Sequence, residues 1–165
     1  MCAMLTALAL GLSTLENLFP VTLFIPLPGV KLGLANIVTV FALYQLGAAP
    51  ALCILVARCL LGSLFAGNAS ALLFSLLGGV LAMLVMMALR GLSVYGVSIG
   101  GAAAHNIGQM AAALITLGNT AVLGYLPFLL AVSLFTGALT GFVSALLLRA
   151  MSHVKLSHGR SADNG

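Results

Sequence analysis

Long apolar runs, separated by short clusters of glycine, proline, asparagine and arginine, set the pattern of this chain. The runs are continuous, whereas the strands of a membrane barrel alternate apolar and polar residues, so the pattern favours helices. Prolines break the chain near residues 20–28, and Gly47, Gly67, Arg90 and Gly118 mark later turns. The pattern predicts an all-α fold with helices at about 2–18, 31–46, 50–66, 69–89, 95–117 and 121–149.

The composition turns this helical pattern into a prediction about the environment of the protein. The chain has 165 residues, of which 62% are hydrophobic and only 5% are charged. A soluble domain carries about 25% charged residues, so this chain lacks the polar side chains to cover a soluble surface. We expect an integral membrane bundle of six transmembrane helices in a single domain, residues 1–151, followed by a polar tail at 152–165.

The basic residues orient the predicted bundle. An even number of spans places both termini on the same side, together with Arg90 after helix 4 and Arg149, Lys155 and Arg160 after helix 6. The positive-inside rule makes that side cytoplasmic. The net charge of +4 forms no basic stripe, so we expect the lipid bilayer as a partner and no nucleic acid.

Arg58 is the most informative position, because it lies in the middle of the apolar run 50–65. A guanidinium near the bilayer centre costs about 2.5–3.5 kcal/mol on insertion scales, so it needs a polar partner, a water-filled cavity or a bound anion. Glu16 is the only acidic residue outside the tail. It can form an ion pair with Lys31 or Arg58, or it can carry a proton as part of a coupling mechanism.

The segment 19–30, FPVTLFIPLPGV, is apolar and rich in proline, unlike a solvated loop. Its Phe19, Phe24, Pro26 and Pro28 are stiff or apolar side chains that favour packing. The segment is predicted to be external. It is either a connector on the membrane surface or a lid over an external cavity.

Polar side chains inside two predicted helices are further candidates for binding. Asn36 follows Lys31 in helix 2 and bonds either a neighbouring helix or a ligand. In helix 5, His105 and Gln109 share one face at a spacing of four residues, and Asn106 is close to Gln109. Small residues surround this group, which predicts either a tight helix crossing with buried hydrogen bonds or a binding pocket.

Several kinds of chemistry are missing from the sequence. It has no GxxxxGK[ST] phosphate loop, and Asp163 in the tail is the only aspartate. No carboxylate pair is available for acid–base catalysis or for holding Mg²⁺. Cys2, Cys53 and Cys59 form no CxxC pair, and those in apolar runs are interpreted as small buried hydrophobes. We therefore expect neither catalysis nor a cofactor nor a metal site.

Five segments carry a resemblance to a known family: LENLFP, PGVKLGLANIVTVFALYQLG, ARCLLGSLFAGN, FSLLGGVLAML and GAAAHNIGQM. They resemble the membrane family labelled Gx transporter or heptaprenyl diphosphate synthase component I, over residues 5–149. KLGLANI and AHNIGQ are the most distinctive of them.

This family looks like the substrate-binding (S) components of energy-coupling factor (ECF) transporters. The resemblance implies a bundle of six helices in the bacterial cytoplasmic membrane, with a substrate cavity near the external face. It also implies that loop 19–30 is the lid. Ala3 and Ala7, in an AxxxA-like pattern, would dock on a transmembrane coupling protein driven by ATPase subunits.

The leading functional hypothesis is a subunit that captures a small anionic metabolite or cofactor precursor. The predicted substrate-binding residues are Glu16, Lys31, Asn36, Arg58, His105, Asn106 and Gln109. One alternative is a membrane accessory component of polyprenyl diphosphate synthesis, although the chain has no aspartate-rich diphosphate motif. Another is a stand-alone proton-coupled carrier that uses Glu16 or His105.

Overall fold

The computed structural model describes the backbone of residues 1–18 and 34–162, and the side chains of residues 1–16 and 34–151. The described backbone is helical apart from short turns, which confirms the predicted all-α class. The α-helices are α1 (Cys2–Leu18), α2 (Asn36–Gln45), α3 (Ala48–Ala66), α4 (Ala69–Ala88), α5 (Val94–Leu117) and α6 (Leu126–Ala162). A 3-10 helix, Thr120–Tyr125, precedes α6.

Glycine and asparagine form the turn after α3 and the turn after α5. Both turns lie at the same end of the bundle, which we name the asparagine end after Asn68 and Asn119. Gly67 ends α3 in the left-handed region at φ 60°, and the side chain of Asn68 then accepts a hydrogen bond from Ser70 N at 2.9 Å. Gly118 and Asn119 repeat the arrangement after α5, at φ 62° and with a 2.9 Å bond from Ala121 N. Both predicted turns are therefore confirmed, because glycine tolerates the left-handed region and asparagine caps the next helix.

Three helices have boundaries that differ from the predicted ones by more than one residue. α2 was predicted from residue 31, but residues 34 and 35 form a turn and the helix begins at Asn36. α3 begins at Ala48, so Pro50 lies in its first turn, where the missing N–H needs no intrahelical partner. α6 was predicted at 121–149, but a 3-10 helix occupies the start of that range and α6 then continues through Ala162. No proline follows Pro127, so nothing in the sequence stops the helix where the apolar run ends.

Helix α2 contacts all five other α-helices and lies at the centre of the bundle, with residues 36–43 buried. Helix α5 has its most extensive contacts on α4 and α6, and α3 joins α4 to α1. The core beside α2 and α3 is built from buried aliphatic side chains such as Leu43, Leu55 and Met83. A second buried cluster, which includes Phe74 and Met110, lies between α4, α5 and the start of α6.

Within the described residues, three helical segments are long and apolar enough to cross a membrane: Ala48–Ala66, Ala69–Ala88 and Thr120–Met151. Six such spans were predicted. α5 is long enough, but its polar side chains lower its hydropathy, and the apolar segments Cys2–Glu16 and Asn36–Gln45 are shorter. Large apolar side chains point outwards along the long helices, for example Phe65 at 77% exposure and Phe135 at 80%. An outer surface of this kind suits contact with lipid.

The contact between α4 and α5 is so close that it leaves no room for a side chain at Gly108. A Cβ atom placed there would lie 2.5 Å from the carbonyl oxygen of Leu77 and 2.7 Å from the Cα of Gly78. These are backbone atoms, which cannot rotate away. A similar approach joins α5 and α6, where a Cβ on Gly137 would lie 2.6 Å from the Cα of Ile99.

We expect Gly108→Ala to lower the free energy of unfolding by about 1–3 kcal/mol, because the added methyl group forces α4 and α5 apart. Thermal unfolding in detergent micelles measures this loss. Gly11→Ala is the matched control, since a Cβ at Gly11 meets no atom within 4 Å and alanine favours the helix. Equal stability of the two variants would contradict the close crossing.

Candidate functional site

A cavity of about 360 Å³ opens between α1, α3 and α4 at the asparagine end. This volume lies near the lower limit of the range of about 300–1,000 Å³ that is typical of small-molecule sites. The lining residues are Leu10, Ser13, Thr14, Arg58, Cys59, Gly62, Ser63, Phe65, Ala66, Asn68, Ala71 and Ser75.

The position of the cavity along the bundle follows from the directions of the helices. α3 ends and α4 begins beside the cavity, so the C-terminus of α4 and Arg90 lie at the opposite end. Short turns make α4, α5 and α6 successively antiparallel. Gly141 of α6 therefore packs near Tyr95 at the start of α5, and Arg149 lies still further from the cavity. Arg90 and Arg149 therefore lie towards one end of the bundle, which we name the basic end, and the cavity lies at the opposite, asparagine end.

Arg58 supplies the charge of the cavity and is only 7% exposed. Its Nη1 donates a 3.4 Å hydrogen bond to Ser13 Oγ on α1. Its Nε and Nη2 atoms have no hydrogen-bond partner among the described residues. A buried donor without a partner costs about 1–3 kcal/mol, so the guanidinium favours an additional oxygen ligand in the cavity.

Glu16 lies on the same face of α1 as Ser13, at a spacing of three residues, and is 4% exposed. Burial disfavours the positive charge of Arg58, whereas Cys59 and the carboxylate of Glu16 favour it electrostatically. Helix α1 therefore offers Arg58 a hydroxyl group in hydrogen-bond contact and a carboxylate that acts through its charge. Lys31, the other ion-pair partner predicted for Glu16, lies outside the described residues.

The predicted polar group of α5 is buried, but it does not line the cavity with Arg58. A Cβ placed on Gly78 of α4 would lie 3.0 Å from His105 Cε1 and 3.1 Å from Gln109 Cγ, so these two side chains pack on α4. Asn106 extends towards α6, where its Nδ2 donates a 2.9 Å hydrogen bond to the carbonyl oxygen of Leu129. These are the contacts of a tight helix crossing with buried polar groups, one of the two arrangements that the sequence predicted.

The remaining predicted residues lie apart from Arg58 or outside the described part of the chain. Asn36 is buried at the start of α2, and its Oδ1 has no hydrogen-bond partner among the described residues, but it does not line the cavity. Ala3 and Ala7 are exposed on one face of α1, as a docking surface requires. Five predicted residues fall outside the described ranges: Phe19, Phe24, Pro26, Pro28 and Lys31.

Most of the polar lining of the cavity was not predicted from the sequence. Ser13 precedes Glu16 by three residues, a spacing that places both on one face of α1, but Thr14 and Ser63 have no such spacing to Glu16 or Arg58. Asn68 follows Gly67 at a predicted turn and was not predicted to line a binding site. No sequence signal connects Ser75 to Arg58, because their approach depends on the packing of α4 against α3.

The cysteines require one correction. Cys59 is buried, as predicted, and lines the cavity. Cys53, interpreted as a buried hydrophobe, is exposed instead. The apolar run that contains it covers all faces of α3, so the sequence could not indicate which face points outwards.

The fold and the site together define an all-helical protein with membrane-length apolar segments and a small cavity around a buried arginine. A family model described as heptaprenyl diphosphate synthase component I matches residues 5–147. Because this match covers most of the 165 residues, the chain belongs to that family. Comparison with curated proteins and with solved structures gives no match.

We expect Asn106→Ala to destabilise the bundle by about 1 kcal/mol, because the carbonyl oxygen of Leu129 loses its buried donor. Thermal unfolding in micelles measures this effect, with Ile107→Ala as the control, since Ile107 is exposed on the same helix. If Asn106→Ala unfolds at the wild-type temperature, this hydrogen bond does not hold α5 to α6.

Proposed function

We propose that this chain is the substrate-binding subunit of an ECF-type uptake transporter. It captures a small anionic metabolite or cofactor precursor. In this account the bundle spans the bacterial cytoplasmic membrane, and the described helices form the fold of an S component. The chain binds its substrate without chemically changing it, and other subunits supply the energy.

The observation that carries this proposal is the unsatisfied guanidinium of Arg58 in a cavity of small-molecule size. Such a group is expensive in an apolar bundle unless it has a purpose. Ser13 and Glu16 offset part of this penalty, and an anionic substrate would supply the missing oxygen ligands. The site contains an anion-binding group without a pair of carboxylates placed for acid–base catalysis, which favours capture over catalysis.

The orientation of the bundle supports uptake. The positive-inside rule assigns Arg90 and Arg149 to the cytoplasmic side. The cavity lies at the other end, which becomes the external face. A substrate-capture subunit needs its cavity on this side. The segment 19–30 lies outside the described residues, and we propose it as the lid because it is the apolar, proline-rich segment that follows α1 in the sequence.

The exposed face of α1 supports the assignment of a protein partner. Ala3, Ala7 and Gly11 recur every four residues, and all three are exposed. Small residues at this spacing allow another helix to approach closely. We assign this face to a transmembrane coupling protein. The chain has no phosphate-binding loop, so ATP hydrolysis belongs to separate ATPase subunits.

The family description favours a second candidate, a membrane accessory component of heptaprenyl diphosphate synthesis. In that case the chain would work beside a separate catalytic subunit. The cavity is small for a heptaprenyl chain, which would then have to lie along the outer surface of the helices. Co-purification of a prenyltransferase, and loss of its activity without this chain, would support this candidate.

Purification of the tagged chain from native membranes should recover a transmembrane protein and two ATPase subunits. The double variant Ala3→Phe/Ala7→Phe should lose these partners, because the large side chains prevent close helix approach. Ala131→Phe is the control, since Ala131 is also exposed but lies on α6. Mass spectrometry of the purified proteins measures the outcome.

Recovery of a prenyltransferase without ATPases would replace the transporter proposal by the second candidate. Uptake of an anion into liposomes that contain this chain alone would also contradict it, since an S component needs its coupling subunits to transport.

A further inference from the structure

We infer that Arg58 binds its ligand through one edge of the guanidinium, formed by Nε–H and Nη2–H, and that this edge selects a carboxylate or a phosphate. The ligand is an organic anion whose body carries O–H or N–H donors. This inference rests on the proposed function, because it concerns the same cavity and names the class of compound that the cavity takes.

The hydrogen bonds of Arg58 divide the guanidinium into an occupied side and an open edge. Nη1 is directed to Ser13 Oγ at 3.4 Å. Nε and Nη2 are both buried and have no hydrogen-bond partner in the described part of the chain. In a planar guanidinium, the N–H bonds of Nε and Nη2 point in nearly the same direction. This edge matches two oxygens of one carboxylate or phosphate group.

The hydroxyl groups around Arg58 define what the rest of the ligand must offer. Thr14 Oγ1 donates to the carbonyl oxygen of Leu10 at 2.9 Å, and Ser63 Oγ donates to that of Leu60 at 2.8 Å. Their hydrogens are therefore engaged within their own helices, and the oxygens are left as acceptors. A ligand next to these walls gains hydrogen bonds only if it carries donors.

The remaining lining groups agree with a compact polar ligand. Ser13 Oγ already accepts from Arg58, and Asn68 Oδ1 accepts from Ser70 N, which leaves the Asn68 amide nitrogen as a donor. The apolar part of the lining includes Leu10 and Phe65. At about 360 Å³ the cavity encloses a small hydroxylated or amino-substituted acid and is too small for a long hydrocarbon chain.

Exchange of Arg58 for lysine tests whether the ligand needs the two parallel donors of the guanidinium edge or only the positive charge. Lysine keeps the positive charge but presents a single ammonium group without two parallel donors. We expect Arg58→Lys and Arg58→Gln each to weaken binding of gluconate at least about tenfold, the loss associated with one charged hydrogen bond. Arg149→Lys, the same exchange at the basic end of the bundle, should leave binding unchanged.

Four probes, each with six carbon atoms, test the ligand class: gluconate, glucose monophosphate, hexanoate and glucose. Binding to the full chain in micelles is measured by the rise in unfolding temperature at millimolar probe concentrations. Cys2→Ala and Cys53→Ala, introduced in every protein compared, remove the exposed thiols, so a thiol-reactive dye reports unfolding as the buried Cys59 becomes accessible. Gluconate or glucose monophosphate should stabilise the wild-type protein, and the better of the two shows whether the edge prefers carboxylate or phosphate. Hexanoate lacks the donors and glucose lacks the anion, so both should stabilise it less.

The possible results distinguish failure of the inference about the guanidinium edge from failure of the proposed transport function. If Arg58→Lys binds as tightly as wild type while Arg58→Gln does not, Arg58 acts as a point charge and the edge is wrong, but the anion site stands. If Arg58→Gln also binds normally, the anion site itself is refuted. If neither polar anion stabilises the wild-type protein, the proposed ligand class is wrong, whereas the transporter assignment still depends on the recovered ATPase partners.

A measurement on the wild-type protein covers the case in which the Arg58 variants fail to fold. Phenylglyoxal modifies arginine side chains, and peptide mass spectrometry locates the modified residues. Gluconate or glucose monophosphate should protect Arg58 and leave Arg90 and Arg149 as reactive as before. Unchanged modification of Arg58 in the presence of both anions would overturn the inference.

Discussion

The interaction between the guanidinium of Arg58 and the oxygens of α1 organises the site of this protein. A positive charge inside an apolar bundle is stable only if oxygen atoms surround it, and the α3 side chains within one turn of Arg58 carry none. Helix α1 supplies Ser13 and Glu16 on one face, so it must lie against α3 in a fixed register. The cavity opens directly beside this contact. The same charge therefore positions α1 and makes the cavity attractive to an anion.

A second constraint, the close approach of glycine-containing helices, holds α4, α5 and α6 together through contacts that do not involve Arg58. Gly108 on α5 and Gly137 on α6 bring backbones into direct contact, and Asn106 adds a hydrogen bond between α5 and α6. His105 and Gln109 are held in the same region against α4. The polar residues of α5 thus take part in the packing of three helices, whereas the polar groups that line the cavity lie between α1, α3 and α4.

The sequence could predict the elements and Arg58, but it could not assign the polar groups to their neighbours. Continuous apolar runs and the turns at Gly67 and Gly118 are local signals, and a buried arginine is conspicuous where charges are scarce. Helical spacing shows that His105 and Gln109 share a face, but it does not show which helix that face contacts. The serines of the cavity were missed for the same reason, because they come together only through packing. The exposed position of Cys53 was missed because α3 is apolar on all sides.

Nuclear magnetic resonance of the side-chain Nε–H of arginine, in the nitrogen-labelled protein, tests the central claim most directly. The experiment observes all four arginines, Arg58, Arg90, Arg149 and Arg160, in the same sample while gluconate or glucose monophosphate is added. We predict that the Arg58 Nε–H signal shifts and its hydrogen exchanges more slowly with water, while the signals of the other three arginines stay in place. If all four signals remain unchanged, or if only the other three respond, Arg58 does not bind the anion and the central claim is wrong.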